Sequence, residues 1–253
     1  MANTEQLLEK AEGSILLICD QDDIWQPKKI EVLSSALEAE PSCGAAFCNS
    51  SFIDDEGRSL PGSLFESVGL TTSIRARLVG GNAMADIANR NVVASHALAI
   101  RSSALELVLP FGPTPYADWW IALVLSATTG LAVVEDCLVS YRLHGANAVG
   151  LNKKLLFAER ASASFSGEML ARANLLYAAI NRVEQVSPGR LPHSEREELQ
   201  ARAKHMHCRG TLPAKRSRRV AKVLREAVGG RYGQFGRGWK SALMDTVREM
   251  PAS

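Results

Sequence analysis

The residues best suited to chemistry are Cys19-Asp20-Gln21-Asp22-Asp23-Ile24-Trp25, which follow directly on the apolar run Ser14-Ile15-Leu16-Leu17-Ile18. The spacing predicts a buried parallel strand over 14–19, ending in three carboxylates within four residues. Like charges this close raise one another's pKa unless a cation or strong donors neutralise them, which suits an oxygen-ligated divalent metal. Open α/β sheets place their ligands at the carboxyl ends of strands. The alternative is a solvated loop in which Asp22 or Asp23 caps the next helix.

Two more groupings carry reactive side chains: Tyr116-Ala117-Asp118-Trp119-Trp120 and Tyr141-Arg142-Leu143-His144. Each adjoins a predicted strand, so all three could face one cleft. Asp118 is the natural N-cap of the apolar helix 121–129, because its carboxylate can accept from first-turn amides. His205-Met206-His207-Cys208 is set aside as a metal site, since adjacent helical positions point apart.

These groups need elements to hold them. Asn3 and Gln6 start a short helix that Gly13 stops. Pro27 then opens a helix carrying Ile30, Leu33 and Leu37 as far as Pro41. Ala45-Ala46-Phe47-Cys48 predicts a second strand parallel to the first. Residues 59–90, broken by four glycines, predict irregular loops and a short helix near 82–88. Residues 92–100 read as a strand in which His96 packs, and Ser102 caps a short helix through Leu109. Gly130 ends the helix at 121–129, and a strand follows from 131. Beyond Gly150 helical periodicity dominates, with an interruption near Ser166-Gly167, a capping box at Ser194 and Glu197, a basic helix over 211–228, a glycine-rich connector over 229–239 and a last helix. The chain divides near residue 150 into an α/β part, 1–150, and an all-helical part, 151–253.

Composition sets outer bounds. The 253 residues are 46% hydrophobic and 22% charged, as expected of a globular chain able to bury a sizeable core. The net charge of +2 hides an asymmetry, because ten basic residues between Arg209 and Lys240 face the single acid Glu226. That stretch reads either as a solvated helical face or as a patch resting on the anionic cytoplasmic leaflet. Nucleic acid is not expected as a partner, for lack of a reading module. Five cysteines without a C-x-x-C pair point to a reducing cytosol. Met1–Gly13 has no signal-peptide pattern, and no window approaches 18 uncharged apolar residues.

The order of an acidic loop, a lone Asp about a hundred residues later and then Tyr-Arg-x-His resembles the GT-A glycosyltransferases of family 2, particularly rhamnosyltransferase-like members that build bacterial surface polysaccharides. The likeness runs through Asp20–Trp25, Pro27 and Lys29, Asp118-Trp119-Trp120, Tyr141–Gly150 and Arg231–Trp239. It implies a truncated GT-A, Rossmann-like sheet followed by a helical C-terminal region. It also implies inverting transfer of a sugar from a nucleotide-sugar donor to a glycan or lipid-linked acceptor. In such a transfer a divalent cation and basic groups stabilise charge developing on the leaving diphosphate, and a carboxylate takes the acceptor's proton.

Carried over residue by residue, Asp20 and Asp22 would hold Mg²⁺ or Mn²⁺, directly or through water, and Asp118 would be the base. Asp23, Trp25, Trp119, Arg142 and His144 would contact substrate. Arg142 alternatively pairs with Glu135 or Asp136, and Trp25 and Trp119 either stack on sugars or pack in the core. Lipid-linked acceptors would favour peripheral membrane contact for the basic region. Two rival readings are a non-catalytic α/β remnant acting as an interaction module and a metal-dependent phosphohydrolase using the Asp cluster.

The resemblance spans nearly the whole chain but only the later part of the family's domain, whose opening strands carry the nucleotide-contacting loop and a further acidic residue. The 253-residue chain is therefore expected to bind nucleotide-sugars poorly. Isothermal titration with UDP- and TDP-sugars and Mn²⁺ checks this, and micromolar affinity would contradict it.

Overall fold

The computed structural model describes residues 2–112, 114–143 and 164–248. His144, the rest of the block through Gly150 and the first residues of the expected helix at 152–185 lie outside them. In chain order the described elements are α1 (Ala2–Lys10), β1 (Ile15–Leu17), β2 (Ile24–Trp25), α2 (Lys29–Ala39), β3 (Ala45–Ile53), β4 (Ser59–Ser63), α3 (Leu64–Val68), α4 (Thr72–Val79), α5 (Met84–Ile87), β5 (Leu98–Arg101), α6 (Leu105–Val108), α7 (Ala117–Thr128) and β6 (Leu131–Arg142). Helices alone follow: α8 (Ser164–Val186), α9 (His193–Gly210), α10 (Arg216–Val228), α11 (Arg231–Phe235) and α12 (Trp239–Val247). None of the described helices is long and apolar enough to cross a membrane.

The strand from Ala45 is almost uniformly buried because β3 is central and covered on both faces, and it opens on the apolar run Ala45–Cys48. Ala45 and Phe47 enter a core with α7 and α8, while Ala46 and Cys48 enter another with Leu33 and Leu37 of α2. The α/β reading holds: a mixed sheet lies between helices, and a helical region follows it. The larger core is continuous into that region, since Leu175, Leu176, Ala179, Ile180 and Val183 of α8 pack with Trp119 and Trp120.

The sheet order is β1-β5-β3-β6-β2, with β4 also paired to β3. Only β3 and β6 pair in parallel. The first strand and β3 do share a direction, but β5 runs antiparallel between them, so β1 is an edge strand. Of the expected strand 92–100 only the end forms a strand, β5, which starts at Leu98 and runs on to Arg101, because Ser95–Ala97 forms a 3₁₀ turn before it. The segment 59–90 is more regular than its glycines imply. Ser63 and Glu66 form a capping box for α3, and Thr71 caps α4.

Helix α8 runs without a break through Ser166-Gly167, its buried face outweighing glycine's weak helix propensity. The box expected at Ser194 does not form. Pro192 stands at the N-cap of α9, so Ser194 is already helical.

Gly130 holds the junction between α7 and β6. Its φ is +98°, and its carbonyl accepts from Gly44 N at the start of β3. A Cβ there would stand 2.4 Å from Val79 O, a backbone atom that cannot swing aside. Gly130→Ala is expected to destabilise the fold by about 2 kcal/mol or more, from left-handed strain plus this clash; chemical denaturation of the variant measures it.

Candidate functional site

The loop from Ile18 to Asp23 leaves β1 and returns as β2, which pairs with the end of β6. Three things converge on it: the 3₁₀ turn at Ser95–Ala97, the start of α7 and Arg142. Asp23 has the most confined side chain, with no exposed surface. Its Oδ1 accepts from the Arg142 amide at 3.0 Å, and its Oδ2 lies 3.1 Å from His96 Nδ1. Asp20 is more open: Oδ2 accepts from Ser95 Oγ at 3.0 Å and stands 3.7 Å from the same Nδ1. The Asp20, Asp23 and His96 ligand atoms all lie within 4.8 Å of one another. Cys19, Asp20, Gln21 and Asp22 line a shallow cleft of about 360 Å³ beside them.

His96 is held from every side. Its ring stacks on Tyr141 at 4.6 Å, Nε2 faces Ser50 Oγ at 3.0 Å, and its carbonyl accepts from Lys29 Nζ at 2.6 Å. The Ser50 hydroxyl can donate or accept, so it permits either imidazole tautomer. When Ser50 donates to Nε2, Nδ1 carries the proton and faces the carboxylates as a donor. When Ser50 accepts, Nδ1 turns a lone pair to the same carboxylates, an arrangement that needs a cation. Two carboxylates are donors that Mn²⁺ or Mg²⁺ accepts, and an imidazole nitrogen beside them favours the softer Mn²⁺ over Mg²⁺.

Environment separates the carboxyls. Bonding to His96 holds Asp20 below the usual range against partial burial, with Ser95 assisting. Burial raises Asp23, and the Arg142 amide and His96 only partly offset it. Asp118 is pushed up to about 6, first by burial and further by the charge of Asp20, against bonds from the Trp119 and Ser95 amides and the field of His96. The Ser95 amide donates to Asp118 and the Ser95 hydroxyl to Asp20, so the start of α7 and the acidic loop meet at the same turn. Lys29, fully buried, has its ammonium over the Trp25 ring at 3.3 Å from the centroid, and burial lowers its pKa to about 8.

No protein-family model matches the chain. The chain is similar to a glycosyltransferase. The relative, an uncharacterized glycosyltransferase of Nostoc sp. (strain PCC 7120 / SAG 25.82 / UTEX 2576), is 23% identical over 141 residues. The match covers 54% of this chain and 42% of the relative, so the chain spans less than half of that protein's length.

The structure groups Asp20 with Asp23 and His96, while Asp22 lines the adjoining cleft. Asp118 is not the N-cap of α7. Tyr116 occupies that position and Asp118 is the second helical residue, its Oδ1 accepting from Trp119 N at 2.7 Å. Among the described residues Arg142 makes no ion pair with Glu135 or Asp136. Its guanidinium donates to the carbonyls of Asp22, Asp54 and Asp55, tying the acidic loop to the β3–β4 turn, and Glu135 pairs with Arg75.

Trp119 is in the core, its indole N–H donating to Ile87 O at 2.9 Å. Trp25 is half-buried, with one ring face covered by Lys29. His96, read from the sequence as packing, is the hub of the cluster. In an extended strand Ser95 and His96 would point to opposite faces; the 3₁₀ turn brings both to Asp20. Two adjacent polar residues ending an apolar run were the available signal.

A carboxyl whose folded pKa exceeds its ordinary value resists ionisation in the fold. Wild type therefore loses stability as pH rises from about 4 to about 6, and this loss persists above. Asp118→Asn is expected to melt higher than wild type at pH 7, with the gap closing as pH falls through 6 towards 4. Thermal unfolding across that range measures it.

Proposed function

We propose that this site transfers a sugar from a nucleoside-diphosphate sugar to a hydroxyl acceptor, with inversion, and that it belongs to the family 2, GT-A type. The observation that carries the reading is geometric: Asp20, Asp23 and His96 bring their ligand atoms within 4.8 Å of one another. The carboxyls at this end of the sheet are also driven in opposite directions, Asp20 down by its bond to His96 and Asp118 up to about 6 by burial. Neighbouring acids pushed apart in this way mark different roles. The glycosyltransferase relative supplies independent support for the reaction class.

Asp20, Asp23 and His96 would hold a divalent cation, with Asp22 reaching it from the cleft wall or through water. Bound there, Mn²⁺ or Mg²⁺ would supply positive charge against the diphosphate as it leaves. Asp118 takes the proton of the acceptor hydroxyl as that oxygen bonds the anomeric carbon. The bond from that carbon to the diphosphate oxygen breaks, and the diphosphate departs with the electron pair. A carboxyl near 6 is a stronger base than an ordinary Asp and is still largely ionised at neutral pH. Arg142 serves this by fixing the acidic loop, through Asp22 O and the Asp23 carboxylate. Lys29 orients the turn that carries His96. In surface polysaccharide synthesis the acceptor would be a glycan or a lipid-linked sugar.

Release of nucleoside diphosphate and glycosylated product from millimolar donor with Mn²⁺ is the test, followed by mass spectrometry. Asp20→Ala and Asp118→Asn should each reduce turnover at least about 100-fold, the scale of losing general-base or charge stabilisation. Unchanged transfer in Asp118→Asn would remove it as the base. No metal-dependent turnover in wild type would refute the assignment for this chain.

A further inference from the structure

Six of the nine large hydrophobic side chains left exposed among the described residues lie in the last 30 or so positions: Leu224, Val228, Trp239, Leu243, Met244 and Val247. They come from two helices with a common backing. Glu226 of α10 pairs with buried His205 of α9 at 2.9 Å, and Asp245 of α12 pairs with Arg209 of α9 at 2.7 Å. His205 and Arg209 are four residues apart on one face of α9, so α10 and α12 lie side by side across it, packed on each other. Their faces opposite α9 turn outward together. On α10 that outward face carries Ala221, Leu224 and Val228 at helical spacing, with Arg218 and Arg225 alongside; on α12 it carries Trp239, Leu243 and Val247, with Lys240.

Among the described residues of 211–248, exposed charge on this surface has one sign. The acids between residues 211 and 248 are Glu226 and Asp245 alone, and both are buried in the pairs just described. Lys215, Arg216, Arg218, Arg225, Arg237 and Lys240 are exposed and form no ion pair among the described residues. A second copy of the same surface would set cations against cations. Apolar side chains including Trp, flanked by unpaired Lys and Arg, instead match the interface of an anionic bilayer, where apolar groups enter the headgroup region and cations meet lipid phosphates.

We propose that the paired outer faces of α10 and α12 form a peripheral binding surface for anionic phospholipid. It rests on the helical region alone and stands or falls independently of the sugar-transfer reading. The full chain should float with vesicles of phosphatidylcholine mixed with phosphatidylglycerol, not with phosphatidylcholine alone. Binding should weaken at roughly molar salt, where screening shortens to about 3 Å. Arg218→Ala with Arg225→Ala should weaken partition about 25-fold, at roughly fivefold per cation. Trp239→Phe should remove the blue shift of tryptophan emission that vesicles induce in wild type. All substituted positions are exposed, and an unchanged melting temperature would establish that the fold is intact. Failure of wild type to float with anionic vesicles would overturn the proposal, as would equal binding by the double variant. Concentration-dependent dimerisation without vesicle binding would assign the surface to a second copy instead.

Discussion

Burying the Asp23 carboxylate with no exposed surface sets the terms for everything at the acidic end of the sheet. An isolated charge in that position would cost several kcal/mol, so compensation has to come from fixed groups nearby. It comes from the Arg142 amide at the end of β6 and from His96 on the turn before β5. Strands β5 and β6 lie on opposite sides of β3, so bringing both groups to this one side chain requires the central sheet to be assembled, and even then the buried Oδ2 is left without a hydrogen bond among the described residues. Lys29 extends the same constraint. Its buried ammonium is placed between the His96 carbonyl and the Trp25 ring, which couples α2 to the loop.

The same compaction produces the chemistry. Asp20 keeps solvent access and has donors that hold its carboxyl below the usual range, whereas Asp118 is crowded by protein at the start of α7 and becomes more basic. The proposed reaction needs two such environments close together, one for a cation and one for a base, and the fold sets carboxyls of both kinds at one end of the sheet. At the far end of the chain the polarity is reversed. Two buried acids, Glu226 and Asp245, anchor the last helices to α9 and leave the cations and several apolar side chains outside.

Local signals were legible where the interactions that decide them are local. The apolar run before Asp20, the Leu33 and Leu37 spacing, the helix stop at Gly130 and the basic helix near 216–228 all appear in the structure close to where the pattern puts them. The segment 59–90 was harder, because its order depends on caps such as Ser63 with Glu66 and on Phe65 packing against Phe47 of the central strand. Glycine count alone reports turns, not the helices between them. Ser166-Gly167 misleads for the same reason in reverse, since the apolar contacts of α8 override a weak propensity.

By itself the sequence determined that three carboxylates stand at the end of an apolar strand, that an α/β sheet is followed by helices, and that Asp118 and Arg142 are candidates for the same cleft. The strand is an edge strand with only Leu16 buried, not the buried parallel strand the run suggested. Only the tertiary structure decided that Asp23 and His96 stand with Asp20 while Asp22 lines the adjoining cleft, that the Arg142 guanidinium donates to loop carbonyls, and that β5 separates β1 from β3. The physical reason is separation along the chain. His96 lies 76 residues beyond Asp20, and Arg142 119 beyond Asp23, so their meeting depends on strand register and on one 3₁₀ turn. Periodicity reports which face of its own element a residue occupies; it carries no information on which distant element that face will meet.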